Sequence, residues 1–533
     1  MNNNPLLSKN TNRNNTVPFD KIRIEHFIPA ITEQVKISEK KVEGIKSNPE
    51  SPSFNNTMVE LEKVIEEFNS LFSIYFMLFG VESDDELKEL DEKISPMEAE
   101  FFSKLYTDDI LFNRILEVNT NYFKFNLNQE DKRLLDITYN KFVRNGALLN
   151  IDDKKKINEI DKELSTLGGK FSTNVLKRRN EYQLYITDRE RLSGIPENLV
   201  KLAEETALKK GKESGWILTL SESCVFPILN YADDRELRRE IHDAFRKGNI
   251  GGEYDNSGNI LNILRLKKER ASLLGYETYS HYIVDDYMAE KPERINSFLE
   301  DIYSASLPVA KNEIEELKAI AYKLDGIDDF QIYDQLYYSE KLKKEKYSFD
   351  NEILRPYFKL ENVVNGIFEV ANKLFDITFK EVTDIPVYHK DVRTFEVLDS
   401  ELNIIGVFYM DSYSRETKRD GAWMLSLIEQ SNIEGVNKIP HVLVACNFTP
   451  PSKGTPSLLT YMEVETLFHE FGHALHGLLS KITFASLSGT NVLHDYVELP
   501  SKIMENWFPE KETLSLFAKH YKTGEIIPDD LME

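Results

Sequence analysis

Three of the ten histidines in this 533-residue chain fall within eight positions, in LLTYMEVETLFHEFGHALHGLLS (residues 458–480). His469 and His473 are four apart, which on an α-helix puts them on one face, one turn from each other. Two imidazoles so placed can grip a single tetrahedral ion at roughly 2.0–2.1 Å each. Glu470 stands about 100° further round the helix. It can lie beside such an ion without ligating it and can take a proton from water there. This is the His-Glu-x-x-His pattern of metal-dependent hydrolysis. His476 shares the histidine face. It is read as a packing or supporting residue, because a third ligand from the same helix would distort the geometry.

A catalytic zinc site takes three protein ligands and keeps one position open. The stretch SGTNVLHDYVELPSKIMENW (residues 488–507) offers His494, Asp495, Glu498 and Glu505. Glu498 comes 25 residues after His473, room for a loop and a returning helix. Spacing favours Glu498 and leaves His494 and Asp495 open.

The elements that position these residues can be read around them. Thr460 followed by Glu463 is a capping-box pattern and marks a helix start. Val464, Leu467, Phe468, Phe471, Leu475, Leu478 and Leu479 surround much of that helix, so it is expected to be buried. Burying histidine and glutamate within it is costly unless they are paired or ligate something. Gly472 weakens a helix, and close packing is the reason to keep it. Upstream, RTFEVLD and IIGVFYMD flank SELN as a hairpin, and HVLVACNF is a further strand. TPPSKGTPS then reads as a loop. YQLYIT and WILTL are short strands around a helical stretch at 196–210. Ile157, Ile160, Leu164, Leu167, Phe171 and Val175 repeat at helical spacing. The fold class is therefore mainly α, with a small β-sheet next to the histidine helix. The division expected is a disordered Asn-rich tail (1–16), an N-terminal helical region (17–210) and a catalytic region (211–533).

Composition bounds the partners. Hydrophobic residues make up 41% and charged residues 29%, which is globular and not disordered composition. The formal charge of −24 argues against nucleic acid and against an anionic membrane surface. Cys224 and Cys446 are the only cysteines, which excludes a disulfide framework and suits a reducing compartment. The N-terminus lacks the apolar core of a secretory signal. The run LFSIYFMLFGV (71–81) is short of the roughly 20 residues a membrane span needs and reads as a buried helix. The expected location is the cytoplasm.

FHEFGHALHGLLS followed by SLSGTNVLHDYVELPSKIMENW resembles the M3 (thimet oligopeptidase) family of zinc metallopeptidases, with its bacterial peptidyl-dipeptidase and oligopeptidase members. PFDKIRIEHFIPAI, LLGYETYSHY, YYSEKLKKEKYSFD, LRPYF, FYMDSYSRETKRDGAWM and CNFTPP resemble family segments in order, over nearly the whole chain. The resemblance implies a two-lobed helical fold around a deep channel that admits short peptides and excludes folded proteins, acting as a monomer. It implies one zinc ion per chain on His469, His473 and Glu498, with Glu470 as general base and acid. Glu465, one turn before His469, Asp495 and His476 are candidates for orienting the ligands, a surface role being the alternative for the two acids. The strand at 441–448 is a candidate for pairing with extended peptide. Family members continue beyond a point corresponding to the final GEIIPDDLME. The expectation is therefore a truncated chain lacking C-terminal helices, with a catalytically impaired zinc- or peptide-binding remnant as the alternative function.

Overall fold

Helices dominate the computed structural model, which describes residues 4–8, 11–347, 351–452 and 454–532. The first part of the chain forms α1 (Phe27–Lys46), α2 (Glu60–Val81), α3 (Asp85–Tyr106), α4 (Asp109–Thr120), α5 (Gln129–Arg144) and α6 (Ile151–Glu181). β1 (Leu184–Ile186) and β2 (Trp216–Leu218) pair antiparallel around α7 (Glu197–Lys209). There follow α8 (Glu222–Tyr231), α9 (Arg235–Lys247), α10 (Ser257–Leu273), α11 (Tyr279–Val284), α12 (Pro292–Asp325), α13 (Gln335–Tyr347) and α14 (Leu360–Phe375). Strands β3 (Thr378–Val382), β4 (Arg393–Leu398), β5 (Ile404–Tyr413), β6 (Trp423–Ile428), β7 (Ser431–Ile433), β8 (Val436–Lys438) and β9 (His441–Phe448) come next. The chain closes with α15 (Tyr461–Leu478), α16 (Glu498–Trp507) and α17 (Lys511–Phe517).

One sheet of order β3-β4-β5-β9-β6 divides the main core. The expected hairpin is β4–β5, and β9 lies parallel to β5 and antiparallel to β6. Successive side chains of a strand point to opposite faces. Val407 and Tyr409 of β5 and Leu443 and Ala445 of β9 therefore join the core of the N-terminal helices. Phe408, Met410, Val442, Val444 and Cys446 join the core built on α14 and α15. Both faces are covered, which is why VLVAC (442–446) is an unbroken apolar run and does not alternate.

The apolar run at 71–81 is the end of a longer helical segment. Phe54–Val81 is long and apolar enough to cross a membrane by length and composition, with a mean hydropathy of 1.4. Its surroundings are those of a core helix: Phe68 stacks on Phe72 at 4.4 Å and on Phe101 at 4.2 Å between ring centroids.

Two expected divisions are corrected. Met1–Asn3, Lys9 and Asn10 of the expected disordered tail lie outside the described residues, as does Lys453 in the expected loop. The rest of the tail is ordered. Arg13 donates to Glu396 from Nε and Nη2, both at 2.6 Å, and Asn14 Nδ2 donates to the same carboxylate at 2.8 Å. Glu396 is buried on β4 and requires a cation, which the tail supplies. The division at 210/211 also cuts a packed unit. β1 pairs with β2 across it, and Ile186, Leu199 and Val200 share one small core with Leu218, Val225 and Leu237.

A buried charge cluster ties α2 to the sheet. Lys418 is fully buried; its ammonium donates to Asp411 Oδ1 at 2.8 Å and to the carbonyls of Asp411 and Tyr413 at 2.9 and 2.8 Å. Arg415 takes both Asp411 oxygens at 2.8 and 2.7 Å and donates from Nε to the Val81 carbonyl at 3.0 Å. Burial alone would raise the Asp411 pKa; Arg415 and Lys418 outweigh it and hold the carboxyl below its ordinary value. Removing one partner from a buried ion pair is strongly destabilising. Lys418→Met is expected to cost about 3 kcal/mol, read as a lower urea midpoint. An unchanged midpoint would show that the cluster contributes nothing to stability.

Candidate active site

The capping box forms as the sequence predicts. Thr460 Oγ1 accepts the Glu463 N–H at 3.2 Å, and the Glu463 carboxylate accepts the Thr460 N–H at 2.7 Å. Val464, Leu467, Phe468, Phe471, Leu475 and Leu478 seat one side of α15 in the core against the sheet. That seating turns His469 and His473 toward α16, with ring centroids 4.9 Å apart. Glu498, the first residue of α16, brings Oε2 to 3.2 Å from Nε2 of both histidines. The three candidate donor atoms lie within 4.8 Å of one another. Donors held tetrahedrally at roughly 2.0–2.1 Å stand roughly 3.3 Å apart, so the arrangement fits a zinc-sized ion.

The alternatives left open by spacing are occupied elsewhere. Asp495 accepts the backbone N–H groups of Met288 and Ala289 at 2.9 and 3.0 Å. His494 stacks on Tyr287 with ring centroids 5.5 Å apart. The group against His469 Nδ1 is Glu505, at 2.6 Å. Glu505 is itself held by Lys502 Nζ at 2.8 Å. This corrects the expectation that Glu465 or Asp495 orients a ligand imidazole: α16 reaches that side of the ring, and Asp495 faces the loop before α12. His476 hydrogen-bonds neither histidine among the described residues, and its buried Nδ1 lacks a partner. The sequence carried a signal for Glu505. It sits seven residues after Glu498, two helical turns on the same face.

Glu470 is buried beside His469, and burial pushes its carboxyl up to about 7. The Met424 backbone N–H hydrogen-bonds it. A pocket of about 420 Å³ opens there, walled by Trp423, Met424, His469, Glu470, His473 and Glu498. The strand beside the pocket is β6, an edge of the sheet. β9, expected to receive extended peptide, is paired on both sides by β5 and β6 and has no free edge.

The helices α15 and α16 meet backbone to backbone. A Cβ on Gly472 would stand 2.6 Å from Ser501 Cα and 2.8 Å from the Pro500 carbonyl oxygen. The loop between these helices is tied to the N-terminal half. Glu62 of α2 accepts the Ser486 N–H at 2.8 Å and its Oγ–H at 2.6 Å, and Glu130 of α5 accepts the Thr483 N–H at 2.8 Å.

The sequence pattern of peptidase family M3 matches residues 228–533. Oligopeptidase A of Salmonella typhimurium is 36% identical, over 99% of this chain and 78% of its own length. Dipeptidyl carboxypeptidase of Escherichia coli is 34% identical over 99% of this chain and 78% of its own. A probable cytosolic oligopeptidase A of Arabidopsis thaliana is 34% identical over 96% and 75%. The chain belongs to peptidase family M3. It is a metallopeptidase, and peptide hydrolysis is its activity. Alignments over 99% of the chain do not support the truncation expected from its last residues.

Two substitutions test the geometry. Gly472→Ala forces α16 away from α15 and is expected to destabilise by about 2 kcal/mol and to weaken metal binding, read by thermal unfolding with and without metal. Glu505→Ala removes the acceptor on His469 Nδ1. Metal affinity is expected to fall about tenfold to a hundredfold in chelator competition; an unaltered affinity would deny Glu505 an orienting role.

Proposed function

We propose that this peptidase is a zinc enzyme cutting short peptides, with His469, His473 and Glu498 holding one zinc ion per chain and Glu470 as general base and acid. The observation that carries the reading is the convergence of two imidazole Nε2 atoms and one carboxylate oxygen beside a buried glutamate. When bound there, zinc supplies Lewis-acid polarisation of the scissile carbonyl and acidifies water.

The chain's own residues do the remainder. Glu505, accepting from His469 Nδ1–H, fixes the tautomer whose Nε2 lone pair faces Glu498. Glu470 takes a proton from the attacking water and delivers it to the leaving amine. Its desolvated site favours proton uptake, as a base requires. The outer edge of β6 offers backbone groups to an extended peptide, which keeps the scissile bond against Glu470. The working form in this reading is a cytoplasmic monomer whose substrates reach the pocket by a channel too narrow for folded proteins.

Glu470→Gln is expected to lower kcat on a short peptide by about a hundredfold to ten-thousandfold while the zinc content of the purified protein stays at one per chain. Chelation of the metal should abolish hydrolysis and added zinc restore it. Hydrolysis that survives complete removal of metal would end the reading.

A further inference from the structure

Each member of the donor cluster needs something to aim it. Glu505 does this for His469. Glu498 is harder to hold. Its side chain is 56% exposed, so close packing does not choose its rotamer, and a long side chain left free populates several staggered wells. Yet one oxygen, Oε2, stands 3.2 Å from Nε2 of both histidines.

A third group meets that oxygen. Ser501 Oγ lies 2.8 Å from Glu498 Oε2, three residues along and on the same face of α16. It also lies 2.8 Å from the Glu498 carbonyl oxygen. One hydroxyl proton cannot serve both acceptors in full. A helical carbonyl takes the N–H four residues on, and a hydrogen bond to an ionised acceptor is roughly twice as strong as a neutral one. The carboxylate is therefore the preferred acceptor. Ser501 is fully buried, so its hydroxyl cannot turn to bulk water instead. Its backbone is fixed as well, because it lies under Gly472 where α15 and α16 cross. The place a Gly472 Cβ would take is 2.6 Å from Ser501 Cα. Hydroxyl, carboxylate and crossing thus form one unit.

We infer that Ser501 is a positioning residue for the metal centre: its hydroxyl donates to Glu498 Oε2 and turns that oxygen toward the two histidines. The inference rests on the zinc reading above and adds what aims the third donor. A carboxylate oxygen has two lone-pair directions. Ser501 occupies one, which leaves the other for an ion shared with His469 and His473. The hydroxyl preorganises the cluster, so that three donors converge before a metal arrives. Without it Glu498 keeps its charge and its place on the helix but loses its aim.

Ser501→Ala removes the hydroxyl and leaves the helix crossing as it is, since the close contact there is with backbone. Zinc affinity, read by chelator competition, is expected to fall about tenfold to a hundredfold, with the thermal midpoint of the metal-free protein little changed. The visible absorption bands of the cobalt-loaded protein should shift, because they report donor geometry. In a Glu498→Ala background Ser501→Ala should cost no further affinity. Ser501→Thr, which keeps the hydroxyl, should restore most of the wild-type value. Ser501→Cys, a weaker donor, replaces it if threonine does not fit, with an intermediate affinity expected. Equal zinc affinity in wild type and Ser501→Ala overturns the inference. So does an equal loss in the Glu498→Ala background, which would mark a hydroxyl that does not act through the carboxylate. Failure of the zinc reading looks different: the wild-type protein then takes up neither zinc nor cobalt, and the inference falls with it.

Discussion

Where α15 passes α16 at Gly472, the two backbones leave no room for a methyl group. The histidines project from one helix, and Glu498 and Glu505 from the other. A few tenths of an ångström of separation would carry the carboxylate oxygen away from both imidazoles, since 3.2 Å is already the spacing a shared small ion requires. The glycine costs helix propensity on α15, and the structure accepts that cost where backbone must approach backbone. The same crossing aligns Glu505 with the far side of His469, so one contact sets both the donor cluster and the tautomer of its first member.

That crossing is held in place by parts of the chain with no chemistry of their own. The sheet is covered on both faces, and the catalytic helix presses on one of them while the N-terminal helices press on the other. Glu62 and Glu130 reach past the sheet to the loop between α15 and α16. Asp411, with Lys418 and Arg415, anchors the end of α2 to the loop that leads into β6. The N-terminal half thus clamps the start of β6 and the inter-helix loop, and the pocket lies between those two places. The small unit around β1 and β2 spans the expected division at 210/211, because Ile186 and Leu199 share one core with Leu218 and Val225.

Much of this was legible in the residues. The capping box at Thr460, the β4–β5 hairpin, β9 as a strand and the seating of α15 follow from local pattern, and each is present. Glu498 was favoured by spacing and stands in the cluster. Other features were misread for identifiable reasons. The Asn-rich tail resembles disorder because the contacts that order it, Arg13 and Asn14 with Glu396 and Arg13 with Asp384, join residues far apart in the chain. β9 was a candidate for pairing with substrate because a strand's neighbours cannot be read from its own composition; it is paired on both sides. Asp495 looked like a ligand's support because it is close to Glu498 in sequence, yet its carboxylate serves Met288 and Ala289.

By itself the sequence determined what helical and strand periodicity can encode: which residues share a face, where a helix begins, and that two histidines stand one turn apart with a glutamate about 100° round from the first. These are consequences of fixed rise and rotation per residue. Only the tertiary structure decided which carboxylate meets which nitrogen and which strand is an edge. Those outcomes depend on how separate elements pack, and packing joins residues whose separation along the chain carries no geometric information.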